Sequence, residues 1–290
     1  MMDRIILGDN QFFGINHMSE EKARLLSEKF MNLDNIIHVI DMAYECGVRG
    51  LMLNTNDRAR EICGYLRRNL TRYSGLSLYP SMPYAHKYAD SVSQKGIFAT
   101  IKDTIISDNS FGNIVRLVTK GGGTLFEKDM IKVMKLLVDI ELKMFRELPV
   151  KVVFLQNIVT DLLLGFKLNE VFVAFSDYVR SKYELEAGFI TMNMPRLVEL
   201  LLESGLENPI VCSSINKAGY FMNPDKSTYE STLKEKKFRP VAMSILASGA
   251  IKPDEAVKYV CDNQNIESVV FGASTRQHIA ETKQMIERYS

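Results

Sequence analysis

A chain of 290 residues with 46% hydrophobic side chains can bury one large core, and its formal net charge of +1 supplies no long-range attraction to nucleic acid or an anionic membrane. The four cysteines, Cys46, Cys63, Cys212 and Cys261, are widely spaced with no CxxC, and each lies in or beside an apolar run, so reduced core thiols are expected. No stretch reaches the roughly 18 apolar residues of a membrane span, and the N-terminus carries no apolar leader, which predicts a cytoplasmic protein.

Residues 4–7 read as a strand that runs into Gly8-Asp9-Asn10-Gln11-Phe12-Phe13-Gly14-Ile15-Asn16-His17, a loop dense in amides, an acid and an imidazole. Functional loops on a rigid scaffold have this composition. A charged helix follows over 19–31. Asp34 is a candidate cap for the next helix, whose Ile36, Ile37, Ile40 and Ala43 recur at helical spacing until Gly47 ends it. Residues 50–53 form a second strand, ending in Asn54-Thr55-Asn56-Asp57-Arg58, where Asp57 could cap the helix over 59–68. A third strand is expected at 75–79, then a polar loop through Ser81, Tyr84, His86 and Lys87, and a helix from 83 towards 95.

The pattern weakens between 96 and 123. Three consecutive glycines, Gly121 to Gly123, fit neither a strand nor a helix interior, because each surrenders much backbone entropy. They mark a bend within an insertion, or a ligand-facing segment. Without a strand-to-helix GxxxxGK[ST] frame they are not a nucleotide loop. A long helix then covers 129–145, with a fourth strand at 150–155 that ends at Gln156-Asn157. Two short helices follow, and a fifth strand at 185–190 ends at Thr191-Met192-Asn193. Pro195 and Gly205 bracket the next helix, and a sixth strand at 209–212 runs into Ser213-Ser214-Ile215-Asn216-Lys217. After an amphipathic loop, strand seven spans 240–244, with a helix over 253–261. Strand eight at 268–271 meets Gly272-Ala273-Ser274-Thr275 and a last helix, with Ser274 or Thr275 as its N-cap.

Eight apolar runs alternating with helices predict parallel β/α crossovers closed into a (β/α)8 TIM barrel, one domain over 1–290 with an insertion around 96–124. The alternative is a doubly wound open sheet, whose dinucleotide form would carry a GxGxxG that is absent from the first loop. In a barrel, site residues follow the strand C-termini. Amides predominate there, so proton transfer falls to a few groups: His17 and His86, which titrate near neutrality, the acids Asp9 and Asp57, and Lys87 or Lys217. Surface hydrogen bonding is the plain alternative for the histidines, and solvation for the lysines. Asp9 with His17 has metal-ligand chemistry, but no HxH or HxxxH pair or implied third ligand accompanies them, and no metal is expected. The Gly272–Ser274 turn opening a helix is a place for an anion, with first-turn N–H groups and Arg276 beside it.

Several segments, in order, resemble the aldo/keto reductase superfamily. Cys46-Gly47-Val48-Arg49-Gly50 with Leu53-Asn54-Thr55 resembles its “G-I-x-x-x-D-T-A” strand, and Glu61 to Leu66 resembles the acid-plus-“LG-x-A-L” helix. Gly188 to Asn193 is similar to “GVSN”. Residues 242–249 resemble “A-x-S-P-L-A-x-G”, and Gly272 to Thr275 resembles “P-G-A-S/T”. The resemblance implies a barrel using NADP, with Ser244, Gly272, Ser274, Thr275 and Arg276 on the cofactor phosphates and Asn193 and Asn216 near the nicotinamide. It also shows departures. Asn54 stands for the family's aspartate, residues 56–58 hold no tyrosine, the third-strand lysine falls near Tyr79-Pro80-Ser81, and Gln156 or Asn157 stands for the fourth-strand histidine.

The implied function is an NADP(H)-dependent oxidoreductase acting on a small polar carbonyl or sugar-like substrate, with or without a phosphate. His17 or Tyr84 would shuttle the proton, Asp9 could act as a base, and Asn54, Gln156 and Asn157 would fix substrate oxygens. Two alternatives stand beside it. One is a non-redox lyase or isomerase that holds a substrate phosphate at the eighth turn. The other is an inactive ligand-binding protein.

Overall fold

The computed structural model describes residues 1–14, 20–84 and 124–290. Eight parallel strands close into a barrel in sequence order: β1 (Ile5–Leu7), β2 (Gly50–Asn54), β3 (Ser77–Met82), β4 (Val152–Leu155), β5 (Glu186–Thr191), β6 (Ile210–Ser214), β7 (Arg239–Met243) and β8 (Ser268–Phe271). The ring shuts where Ile5, Ile6 and Leu7 pair with Val269, Val270 and Phe271. That closure excludes the open doubly wound sheet.

Ten α-helices are described. They are α1 (Glu20–Lys29), α2 (Leu33–Glu45), α3 (Asp57–Arg68), α4 (Thr124–Leu142), α5 (Asn157–Gly165), α6 (Asn169–Tyr183), α7 (Met194–Glu203), α8 (Lys226–Glu235), α9 (Pro253–Cys261) and α10 (Arg276–Tyr289). Among the described residues none is long and apolar enough to cross a membrane. His17, His86, Lys87 and Gly121 to Gly123 lie outside the described residues, as does most of the 96–124 insertion.

Strand alternation sorts the core into two shells. One buried cluster fills the barrel itself, with Ile6, Met52, Tyr79, Phe154, Cys212 and Val241 among its members. A larger one, including Leu51, Leu53, Val153, Leu155, Val211 and Val269, lies between strands and helices. Gly188 belongs to the first arrangement. A Cβ there would stand 2.4 Å from the Phe154 ring, so glycine is what lets that ring fill the barrel. Polar groups close the N-terminal end: Arg239 is paired with Glu186 and Glu267, and Asp3 accepts from Tyr79 Oη at 2.5 Å and Lys151 Nζ at 3.1 Å.

Three local expectations are corrected. The cap of α2 is Asn32, whose extended backbone lets its side chain accept from Asp34 N; Asp34 sits inside the first turn, where its charge favours the helix dipole. Asn56 caps α3 in the same way, accepting from Ala59 N, and Asp57 is its first residue. Strand β3 runs three residues past the expected end at 79. Pro80 pairs in register with Leu53, since its fixed φ tolerates extended backbone, and the extension carries Ser81 level with Asn54.

Candidate active site at the barrel mouth

The inward positions that end the first four strands are neutral hydrogen-bonding groups: Asn54 on β2, Ser81 on β3 and Gln156 just beyond β4, with Gly8 and Asp9 after β1. They line one wall of a cavity of about 720 Å³ at the C-terminal face. The opposite wall is apolar, built by Ile190, Met192, Met243, Leu246 and Phe221. No lysine, arginine or histidine is among the described residues that line it.

Asp9 is the one acidic residue of that described lining, and it is 3% exposed. Its Oδ2 accepts from the Asn54 main-chain N–H at 2.6 Å and its Oδ1 accepts from Asn54 Nδ2 at 2.9 Å. Burial pushes the carboxyl up to about 7, because withdrawal from water penalises the anion more than the two Asn54 hydrogen bonds favour it. Asn54 in turn accepts from Gln156 Nε2 at 3.1 Å. A line of groups from β1 through β2 to β4 therefore orients an acid poised to exchange a proton near neutrality.

Two further polar atoms at this wall are buried with no hydrogen-bond partner, Gln11 Oε1 and Ser81 Oγ. Gln11 is 8% and Ser81 2% exposed. The Gln11 Nε2 donates to Gly8 O at 2.8 Å, with Ala273 O at 3.5 Å, which fixes which way the amide faces. Its Oε1 then lies where a Cβ on Gly272 would come within 2.7 Å. A buried acceptor or hydroxyl left unpaired costs about 1–3 kcal/mol, so each asks for a partner.

Tyr84 and Asn157 line the cavity, and the Tyr84 N–H donates to Glu141 at 3.2 Å. Glu141 itself is fully buried on α4 and accepts from Thr55 Oγ1, which ties the ends of β2 and β3 to that helix. Ser244 and Gly272 also line the cavity. Ser244, Ala247 and Ser248 all have positive φ (54°, 46° and 56°), an uncommon backbone for side-chain-bearing residues that curls the loop after β7. Thr275 caps α10 by accepting from His278 N, and the Arg276 guanidinium is paired with Glu45 on α2. Asn193 caps α7, accepting from Arg196 N. Asn216 is buried and bonds the Tyr220 main chain with both ends of its amide, at 2.8 Å each. Lys217 is paired with Glu255 at the surface. Among the described residues no group of three or more His, Cys, Asp or Glu could hold a metal.

Glu141 and the thioether wall were not among the residues expected at the site. A signal for Glu141 exists: it falls on the face of α4 shared by Met134, Leu137 and Val138, where a charge among buried apolar positions is anomalous. The wall of Met192 and Met243 has no such signature, since methionine at a strand end reads as core.

No family model matches the sequence, and no curated protein matches it. Solved structures do. One described as an aldo-keto reductase from Pseudomonas aeruginosa is 12% identical, with a TM-score of 0.58, covering 99% of this chain and 90% of that one. A thermostable aldo-keto reductase in complex with the inhibitor epalrestat is 13% identical, with a TM-score of 0.55 over the same shares. One described as a 2,5-diketo-D-gluconic acid reductase B is 12% identical, with a TM-score of 0.54, covering 99% and 86%. At this identity the likeness establishes that the chain has the (β/α)8 barrel fold these reductases share.

Proposed function

We propose that this barrel is an NADP(H)-dependent oxidoreductase that reduces a small polar carbonyl compound in the mouth cavity, with Asp9 as the proton donor. The observation that carries the reading is Asp9 itself, a buried carboxyl at the cavity wall held protonated to about pH 7. A neutral acid there can give its proton to the developing alkoxide and recover it from solvent. Asn54 holds the carboxyl in place, and Gln156 holds Asn54.

The chemistry of the donor set fits a nicotinamide dinucleotide along the rim of β7 and β8. Of the first-turn N–H groups of α10, that of His278 goes to the Thr275 cap and those of Arg276 and Gln277 have no intrahelical partners, Ser274 brings a hydroxyl, and the curled loop at Ser244 to Gly249 lines the cavity. When bound, the cofactor would supply the hydride to the carbonyl carbon. Arg276 would serve the 2′-phosphate by exchanging Glu45 for it. The apolar wall with Phe221 would exclude water from the reacting carbon.

Titration of the purified protein with NADPH and NADH, followed by nicotinamide fluorescence, tests this directly, and the absence of tryptophan keeps the protein's own emission low. Saturable binding with carbonyl-dependent NADPH consumption is expected. Absence of any nucleotide signal would end the redox reading. It would favour a second reading, a lyase or isomerase in which Asp9 takes and returns a substrate proton, because an acid near 7 serves either direction.

A further inference from the structure

Gln11 and Ser81 bury an acceptor and a hydroxyl at the cavity wall and give neither a partner. In a well-packed barrel such atoms are costly unless something else satisfies them. The arrangement around Gln11 is specific. Its amide nitrogen is committed to Gly8 O, and Gly272 leaves free the space that a side chain would take from Oε1. Ser81 stands between Asn54 and Phe154 in the ladder, on the same wall as Asp9.

We propose that Gln11 Oε1 and Ser81 Oγ are ligand-binding atoms, and that they select an uncharged carbonyl compound bearing a neighbouring hydroxyl over its anionic counterpart. Gln11 Oε1 can only accept, so it takes a hydroxyl proton. Ser81 Oγ donates to the carbonyl oxygen. An anionic substituent would meet the acceptor on Gln11, and the described lining holds no cation to offset its lost hydration. The nearby cations Arg276 and Lys217 are engaged by Glu45 and Glu255. An apolar substituent fits the facing wall of Met192 and Met243, where thioether surface lines the cavity. This names the substrate class of the reading above and rests on it only for the carbonyl.

Isothermal titration of the full-length protein without cofactor, using α-hydroxyacetophenone, acetophenone and phenylglyoxylate, separates the possibilities. The three share a phenyl ketone and differ in carrying a hydroxyl, nothing or a carboxylate. The hydroxyketone is expected to bind about tenfold tighter than either of the others, the size of a lost hydrogen bond to a buried group. Gln11→Met should remove its advantage over acetophenone. Ser81→Ala should weaken both neutral ketones, with the melting temperature unchanged or raised because an unpaired hydroxyl is gone. Equal or tighter binding of phenylglyoxylate, no binding of any of the three, or a several-degree fall in the melting temperature of Ser81→Ala would overturn the assignment. Preferential hydroxyketone binding with no nucleotide-dependent turnover would leave the assignment standing and end the oxidoreductase reading alone.

Discussion

Asn54 grips Asp9 twice, through its main-chain N–H at 2.6 Å and its side-chain amide at 2.9 Å, although 45 positions separate the two in sequence. Both bonds favour the carboxylate, yet burial outweighs them and the group stays protonated to about 7. The reduction rate should therefore be flat at acid pH and fall as pH rises through about 7, where the donor loses its proton. Asp9→Asn cannot donate in the same way and should lose about 10²–10⁴-fold in rate. A pH profile of kcat/KM for both proteins checks this; a profile without an inflection between pH 6 and 8, roughly the range of a group poised for neutral catalysis, would remove Asp9 from the role.

The same carboxyl makes a stability prediction. Its folded value lies above the usual 3.8, so the folded state holds the proton more tightly than the unfolded chain. Stability is then lost as pH rises from about 4 to about 7, and levels off above that. Asp9→Asn lacks this slope and should be more stable than the parent at pH 8, by up to about 4 kcal/mol, with little difference at pH 4. Thermal melts of both proteins at the two pH values decide it, and a difference between parent and Asp9→Asn that is the same at both would refute the burial argument.

Asn54→Asp restores the acidic residue type of the resembled family's second strand but places it against Asp9. Two carboxyls in contact cannot both ionise easily, so the inflection in the rate profile should move upward by about one pH unit or more, with a lower plateau rate. An unchanged profile would mean that Asp9 is not the titrating group.

Barrel closure was legible in the residues because eight short apolar runs alternate with helical patterns, and β8 begins and ends where the sequence places it, at Ser268–Phe271. Helix α8 was not, since Lys226–Glu235 is largely polar and its stabilising contacts, Tyr229 and Leu233, are too few to set a period. Its Asp225 cap, accepting from Thr228 N, was the signal available. At the site, polar strand ends such as Asn54 and Gln156 stood out, but their linkage did not. Burial of Asp9 and the unpaired state of Gln11 Oε1 depend on neighbours from β2 and β8, which no local pattern records.

Gly188→Ala tests the packing of the barrel interior. The added methyl would meet the Phe154 ring at 2.4 Å, and Phe154 is fully buried. Overpacking of this kind costs about 1–3 kcal/mol, so the melting temperature should fall by several degrees. A neutral outcome would mean that the ring has slack in the barrel.

Arg276 and Glu45 form an exposed ion pair between α10 and α2, and such pairs contribute about 0–1 kcal/mol. Exchanging Glu45 for a ribose 2′-phosphate therefore costs little, while the phosphate offers more charge and more acceptor oxygens. Arg276→Ala should weaken NADPH about five- to tenfold and leave NADH nearly unaffected, since the latter has nothing for the guanidinium to grip. Glu45→Gln should act oppositely, tightening NADPH by releasing the arginine from its resident partner. Fluorescence titration of both nucleotides against the three proteins measures all of these shifts. Equal losses for NADH and NADPH would place Arg276 at the pyrophosphate instead. No change for either would show that the guanidinium stays with Glu45 and contributes only to the packing of α10 on α2.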